Sequence, residues 1–233
     1  MVKKAEMEIE ENVQRISENI RRAAARAGRK NAKVRIMGVC KGQPAERIRA
    51  AYACGIRLLG ENRLQEAEVH QEQLGDLDVE WHFIGKLQKN KINRVLKRFQ
   101  FIQSVDGVKA LEHINKRIDT AQDFFVEINI GEEVSKSGFT EEGFKKALPY
   151  ISTLARIRIR GLMTIPPLFQ DAEKARPYFA RMRALMEDIN NQGWKNIDIQ
   201  QLSMGMSDDY EVAVEEGATM VRLGTALYGR RLQ

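Results

Sequence analysis

Two stretches rich in glycine and hydroxyl side chains stand close together in the sequence, LSMGMSDDY over 202–210 and VRLGTALYG over 221–229. Glycines let backbone N–H groups approach an anion closely, and Ser or Thr hydroxyls add donors without bulk. Ser203, Gly205 and Ser207 in the first stretch, with Gly224 and Thr225 in the second, therefore have the residue types of a phosphate cradle; the alternative is that they only make turns. SDDYEVAVEEG reads as a helix start with Ser207 or Asp208 as its cap, its positive end facing the loop. A lone lysine, Lys41, closes the apolar run VRIMGVCK. At strand period it shares a face with Met37 and Val39, so its amine emerges from apolar surroundings. Lost hydration favours the neutral amine that attacks carbonyls, whereas a lysine reaching out to water is the plainer reading.

Positioning these residues requires a scaffold that brings positions 41, 203 and 224 to one end. Strand candidates begin at 34 (VRIMGVC), 56 (IRLLG), 79 (VEWHFIG), 99 (FQFIQSV), 124 (FFVEINI), 156 (RIRIRGLMTI), 197 (IDIQQLSM) and 219 (TMVRLGT). Helical patterns follow the first seven, among them PAERIRAAYACG, NRLQEAEVHQEQLG, KALEHINKRI and AEKARPYFARMRALMEDIN, and a further helix opens the chain over roughly 5–28. Eight strands alternating with helices predict an α/β fold, a single (β/α)8 TIM-type barrel over 1–233 with an N-terminal helical segment, 1–30, packed on it. An open doubly wound sheet is the second candidate, but the GxGxxG turn expected after its first strand is absent. In such barrels catalytic groups sit where strands end, and phosphates are often held after strands seven and eight. Those are the positions of the two glycine stretches, and Lys41 ends strand one at the same rim. On the alternation that turns Gly224 inward, Arg222 also points inward and needs an anionic or acceptor partner.

Composition narrows the classes. With 233 residues and 43% hydrophobic side chains, the chain can bury one substantial core. The start MVKKAEMEIEENVQ carries acids where a secretory signal needs an apolar run, and no stretch approaches bilayer length, so a soluble cytoplasmic protein is expected. Cys40 and Cys54 lack metal or redox spacing, and His70, His82 and His113 form no HxH or HExxH pattern, so no metal site is expected. The net charge of +6 is concentrated in KLQKNKINRVLKRF, where Lys91, Arg94, Lys97 and Arg98 fall at helical spacing. This is read as a solvated helix face rather than a nucleic-acid surface, because no aromatic platform accompanies it.

A phosphate cradle and a desolvated lysine at one barrel mouth are the arrangement that a phosphorylated aldehyde requires, and pyridoxal phosphate is the commonest such cofactor. The chain also resembles the pyridoxal-phosphate homeostasis protein family through VCKGQP, GENRLQE, WHFIGKLQKNK, NIGEEVSKSGF, RGLMTIPP, LSMGMSDDY and VRLGTALYG, in family order from 39 to 229. That resemblance implies a fold-type III barrel similar to the alanine racemase barrel domain. It implies an internal aldimine between Lys41 and pyridoxal phosphate, with Ser203, Gly224 and Thr225 on the phosphate. Arg222 is implied to face the pyridine nitrogen, and Asn62, His82 and Met163 to line the ring pocket. On residue type alone, Asn62 is equally a helix cap, His82 a hydrogen-bonded core histidine and Met163 barrel filling. The sequence departs from the family in Cys40 and Gly42, where Ser and Thr are usual, and in Gly131, where Ser is usual. Cys40 is expected to repack the outer layer, and Gly42 to loosen the lysine loop.

The function expected is a carrier that holds pyridoxal phosphate as a Schiff base and buffers or delivers it, with apo-enzymes as transient partners. The competing reading is an amino-acid racemase of the alanine type. That chemistry needs a base on each face, and the resemblance implies that the second, a tyrosine, comes from an additional β domain of a partner chain. After strand eight only ALYGRRLQ follows, from which a carrier and a monomer are expected. A Schiff-base aldolase without the cofactor and a nucleic-acid module are the remaining classes.

Overall fold

Met37 and Cys40 belong to two different apolar layers, and that division organises the molecule. The structure, a computed structural model, describes residues 2–229. Its eight strands are β1 (Arg35–Val39), β2 (Leu58–Glu61), β3 (Glu80–Phe83), β4 (Phe101–Ile102), β5 (Gln122–Glu127), β6 (Ile157–Met163), β7 (Ile197–Ser203) and β8 (Met220–Leu223). Each coincides with one of the eight predicted runs. Helices α1 (Val2–Arg26), α2 (Ala45–Ala53), α3 (Leu64–Gln73), α4 (Ile92–Arg98), α5 (Val108–Asn115), α6 (Glu141–Ile151), α7 (Arg176–Asn191), α8 (Tyr210–Glu215) and α9 (Thr225–Tyr228) alternate with them.

All strand pairs are parallel, in the order β4-β3-β2-β1-β8-β7-β6-β5. Met37 is in register with both Leu58 and Arg222, so β1 lies between β2 and β8, as a barrel requires and an open sheet starting at β1 does not. The remaining gap is narrowed by a bridge between Val105 and Val126, where the Glu127 N–H donates to the Val105 carbonyl at 3.0 Å. Inside, Met37, Leu58, Phe125 and Met220 pack with Ile84 and Phe101. Outside, Cys40, Leu59, Phe83, Phe124, Leu162 and Leu202 belong to the larger layer between sheet and helices.

Two irregularities decide what faces the interior. Ile157 and Ile159 belong to the outer layer and so does Leu162, so an extra residue in β6 turns Gly161 and Met163 inward. Likewise Ile197, Ile199 and Leu202 are all outer, and the extra residue near Gln200 turns Ser203 inward. Gly161 faces Phe125, and a Cβ there would lie 2.5 Å from its ring carbons. Gly161→Ala is expected to lower stability by about 1–3 kcal/mol through overpacking, measured by denaturant unfolding; an unchanged midpoint would refute this packing.

Helix α1 buries Ile9, Ile16, Ile20, Ala23 and Ala24 at helical spacing. Its polar edge holds the segments after β7 and β8: Asn19 donates to the Tyr210 hydroxyl at 2.8 Å and Asn12 to the Leu227 carbonyl at 3.1 Å. Helix α7 begins only at Arg176, after a 3₁₀ turn over Ala172–Ala175, because Pro177 fits the first turn of a helix and not its interior. In the basic segment, Arg94 and Arg98 pair with Glu68 of α3 at 2.6 and 3.2 Å, while Ile92 and Val95 are buried. The expected helix after β7 is present, but its cap position is Asp209 rather than Ser207 or Asp208. Asp209 is drawn in because its carboxylate accepts from the Met206 N–H at 2.6 Å.

Candidate functional site

The chain leaves β1 through a four-residue turn, Cys40 to Gln43, closed by the Gln43 N–H on the Cys40 carbonyl at 2.9 Å. Its third residue, Gly42, has φ 65°, a conformation for which glycine carries no steric penalty. Gly42 therefore suits this turn rather than loosening it. Lys41 is half-buried and continues the face of Met37 and Val39. Cys40 points the other way, fully buried in the outer layer with its Sγ 4.0 Å from the Tyr228 hydroxyl.

On the adjacent strand, Arg222 is buried and held by acceptors at fixed places. Nη1 donates to the Ser203 carbonyl at 2.5 Å and to its Oγ at 2.8 Å, and Nη2 to the Thr164 carbonyl at 2.7 Å. Burial pushes the guanidinium down to about 10, opposed by the charges of Asp209 and Glu127. It stays a cation at neutral pH, and at least one of its five N–H groups is left for a ligand.

Ser203 is fully buried, and its hydroxyl donates to Gln103 Oε1 at 2.7 Å. The Gln103 amide donates to His82 Nδ1 at 2.9 Å, and His82 Nε2 donates to Glu80 at 2.7 Å, which also takes Arg35 at 2.8 Å. A hydrogen-bonded chain thus runs through the barrel interior and orients Arg222 from behind. The Ser203 hydroxyl is used on Arg222 and Gln103 and so helps to anchor Arg222. His82 has both ring nitrogens engaged and stacks on Phe101 with centroids 5.0 Å apart, as a hydrogen-bonded core histidine. Burial holds its pKa down, which keeps the ring neutral with its proton on Nε2. Gln103, missed in the sequence, carries one signal there: a polar residue on the inward alternation of FQFIQSV, two residues after Phe101.

Met163 is inward and buried. Asn62 is not a helix cap, since Arg63 precedes α3 without a side-chain cap. Instead its Oδ1 is buried with no partner, an acceptor left free where β2 reaches the mouth. In the β7 and β8 loops the two key glycines differ. Gly205 has φ 94° and a Cβ there would lie 2.6 Å from that of Ala213, so the chain itself demands glycine. At Gly224 a Cβ would meet nothing nearer than Val39 at 3.9 Å, so packing alone does not demand it and room is left beside the barrel mouth. The Ser207 hydroxyl accepts from the Ala226 N–H at 3.0 Å and joins the two loops, while Thr225 is exposed at the start of α9.

A half-buried amine, an anchored guanidinium, an unpartnered amide oxygen and an open glycine at one mouth are donors and acceptors suited to an aldehyde bearing a phosphate and an aromatic ring. The family model of the alanine racemase N-terminal domain matches residues 12–231. A pyridoxal phosphate homeostasis protein of Aquifex aeolicus is 42% identical over 224 residues, covering 95% of this chain and 97% of that protein. The chain belongs to the pyridoxal phosphate homeostasis protein family. The family member of Pseudomonas aeruginosa is 40% identical over 226 residues, with 96% of each chain covered. Among solved structures, PipY of Synechococcus elongatus with pyridoxal phosphate bound is 35% identical, with a TM-score of 0.78 over 91% of this chain and 100% of that one. Alanine racemase of Clostridium difficile, 18% identical with a TM-score of 0.68, shares the fold; the match covers 96% of this chain and 58% of that one. No helix among the described residues is long and apolar enough to cross a membrane.

Proposed function

We propose that this protein binds pyridoxal phosphate, holds it covalently through Lys41 Nζ, and serves as a reservoir that hands the cofactor to apo-enzymes. The feature that carries the reading is that β1, which leads into Lys41, lies beside β8 with Met37 in register with the anchored Arg222, so that the amine follows β1 toward the barrel mouth above that guanidinium. When bound, the cofactor supplies a reactive aldehyde and a ring able to take up electron density. Asn62 Oδ1 offers an acceptor on the β2 side, and Gly224, Thr225 and Ser207 offer donors and space on the β7 and β8 side. Arg222, a cation facing the ring nitrogen, keeps a proton off that atom and so limits the electron demand available for bond breaking. That property fits holding better than turnover, in keeping with the names of the relatives.

The phosphate assignment supplies the test. Pyridoxal phosphate is expected to bind far more tightly than pyridoxal, and Thr225→Val or Ser207→Ala to weaken the phosphorylated form alone. Loss of one hydrogen bond to a charged group corresponds to about 1.5–3 kcal/mol, roughly tenfold or more in affinity. Equal affinity for the two forms in a fluorescence titration would reject the cradle.

A further inference from the structure

The lysine turn is also gripped from outside the barrel. Gln43, two residues past Lys41, is buried, and its carbonyl lies 2.9 Å from His70 Nε2 on α3. The other ring nitrogen, Nδ1, is 2.6 Å from Glu61 Oε1 on the outward face of β2. Glu61 is fully buried and its Oε2 has no partner, so the contact with His70 is its one side-chain tie. Both ring nitrogens face oxygen atoms, and a carbonyl oxygen can only accept. Nε2 therefore carries a proton for Gln43, and a second proton is shared between Nδ1 and Glu61. Glu66, one turn earlier on α3, adds a contact 3.3 Å from the Gly42 N–H. Helix α3 thus holds two consecutive residues of the turn that presents Lys41.

We infer that the Glu61–His70 pair is a latch on the lysine turn, with His70 a positioning residue that sets how firmly Lys41 is held for its cofactor. The inference rests on Lys41 being the attachment point. Without the Nδ1 proton, a buried carboxylate would face a bare ring nitrogen, and the grip on Gln43 would weaken with it. The groups facing the pair are Glu66 from α3, Cys40 from the turn after β1 and Tyr228 from α9, besides the Gln43 carbonyl, with Arg47 of α2 acting on Tyr228 behind them. The hydrogen bond to Glu61 raises the His70 pKa, and burial raises that of Glu61, so the pair keeps its proton beyond the ordinary histidine range. Stabilisation by the latch is then complete below that range and is lost as pH climbs through the raised value.

Two readouts test the latch. In the cofactor-free protein, amide hydrogen exchange at Gly42 and Gln43 is expected to quicken about tenfold in His70→Ala, the scale of one lost hydrogen bond to a charged group. In the loaded protein, release of pyridoxal phosphate to a scavenging apo-enzyme is expected to quicken by about the same factor, with the borohydride label still on Lys41. His70→Gln, which keeps one donor, is expected to fall between and serves if the alanine variant does not fold. Its release rate, relative to wild type, should lose the excess that the latch confers as pH rises. Unchanged exchange and release in folded His70 variants would overturn the latch. A label found away from Lys41 would instead overturn the attachment point, so the two failures are distinguishable.

Discussion

Borohydride reduction of the protein loaded with pyridoxal phosphate is expected to leave one pyridoxyl group, on Lys41, and Lys41→Ala is expected to abolish both the label and the bound-cofactor absorbance band. The rim carries another half-buried lysine, which makes the assignment a real choice. Lys136 donates to the carbonyls of Ile165 and Pro166 at 3.3 and 2.9 Å and pairs with Glu133 at 2.5 Å. Its donors are committed to tying two loops together, and freeing them would sacrifice a charge-assisted contact. Lys41 instead follows β1 on the alternation that turns Met37 inward, and none of the hydrogen bonds or ion pairs among the described residues commits its amine. Mass mapping that places the label on Lys136, with the band intact in Lys41→Ala, would reverse the choice.

The second large effect concerns catalysis. Racemization of alanine, serine and other common amino acids is expected to be negligible, while bound pyridoxal phosphate passes to an apo-enzyme in a mixing assay. Inversion needs a base on each face of the substrate carbon, and a missing general base lowers the rate by about 10²–10⁴. Lys41 can serve one face. Each of the five tyrosines makes contacts elsewhere in the fold. Tyr210 is buried with its hydroxyl on Asn19 of α1, and Tyr228 is buried behind β1, where its hydroxyl lies 2.5 Å from the position of a Cβ on Gly38. Tyr52 lies under Arg57, Tyr150 bonds to Glu112 on the surface, and Tyr178 stacks on Phe169. Against the ring nitrogen, as proposed, Arg222 would add a second obstacle by weakening the ring as an electron sink. Robust turnover that vanishes in Lys41→Ala and in a tyrosine variant would establish a racemase instead of a carrier.

Much of the fold is legible in the sequence. Buried parallel strands read as continuous apolar runs, which is why all eight were visible, and a lysine ending the first of them stands out against its neighbours. Arg222 was readable as inward because β8 keeps strict alternation from Met220 to Arg222. Less visible were the partners. A serine two residues before a glycine looks like a phosphate contact, yet Ser203 faces Gln103, a hundred positions away, and only strand order brings them within 2.7 Å.

What the sequence determined by itself is therefore local: the eight strands, the amine at the end of β1 and the inward face of β8. These follow from period and propensity, both decided within a few residues. The tertiary structure alone decided the rest. One extra residue in each of β6 and β7 reverses their alternation, so Met163 and Ser203 face the interior where strict period two from Ile157 and Ile197 would turn them out. Barrel closure then sets Ser203 against Arg222 and Gln103, and the packing of α3 on β2 sets His70 between Glu61 and Gln43. Such polar pairings depend on which buried donors find acceptors once distant strands and helices meet, and no short stretch of sequence encodes that.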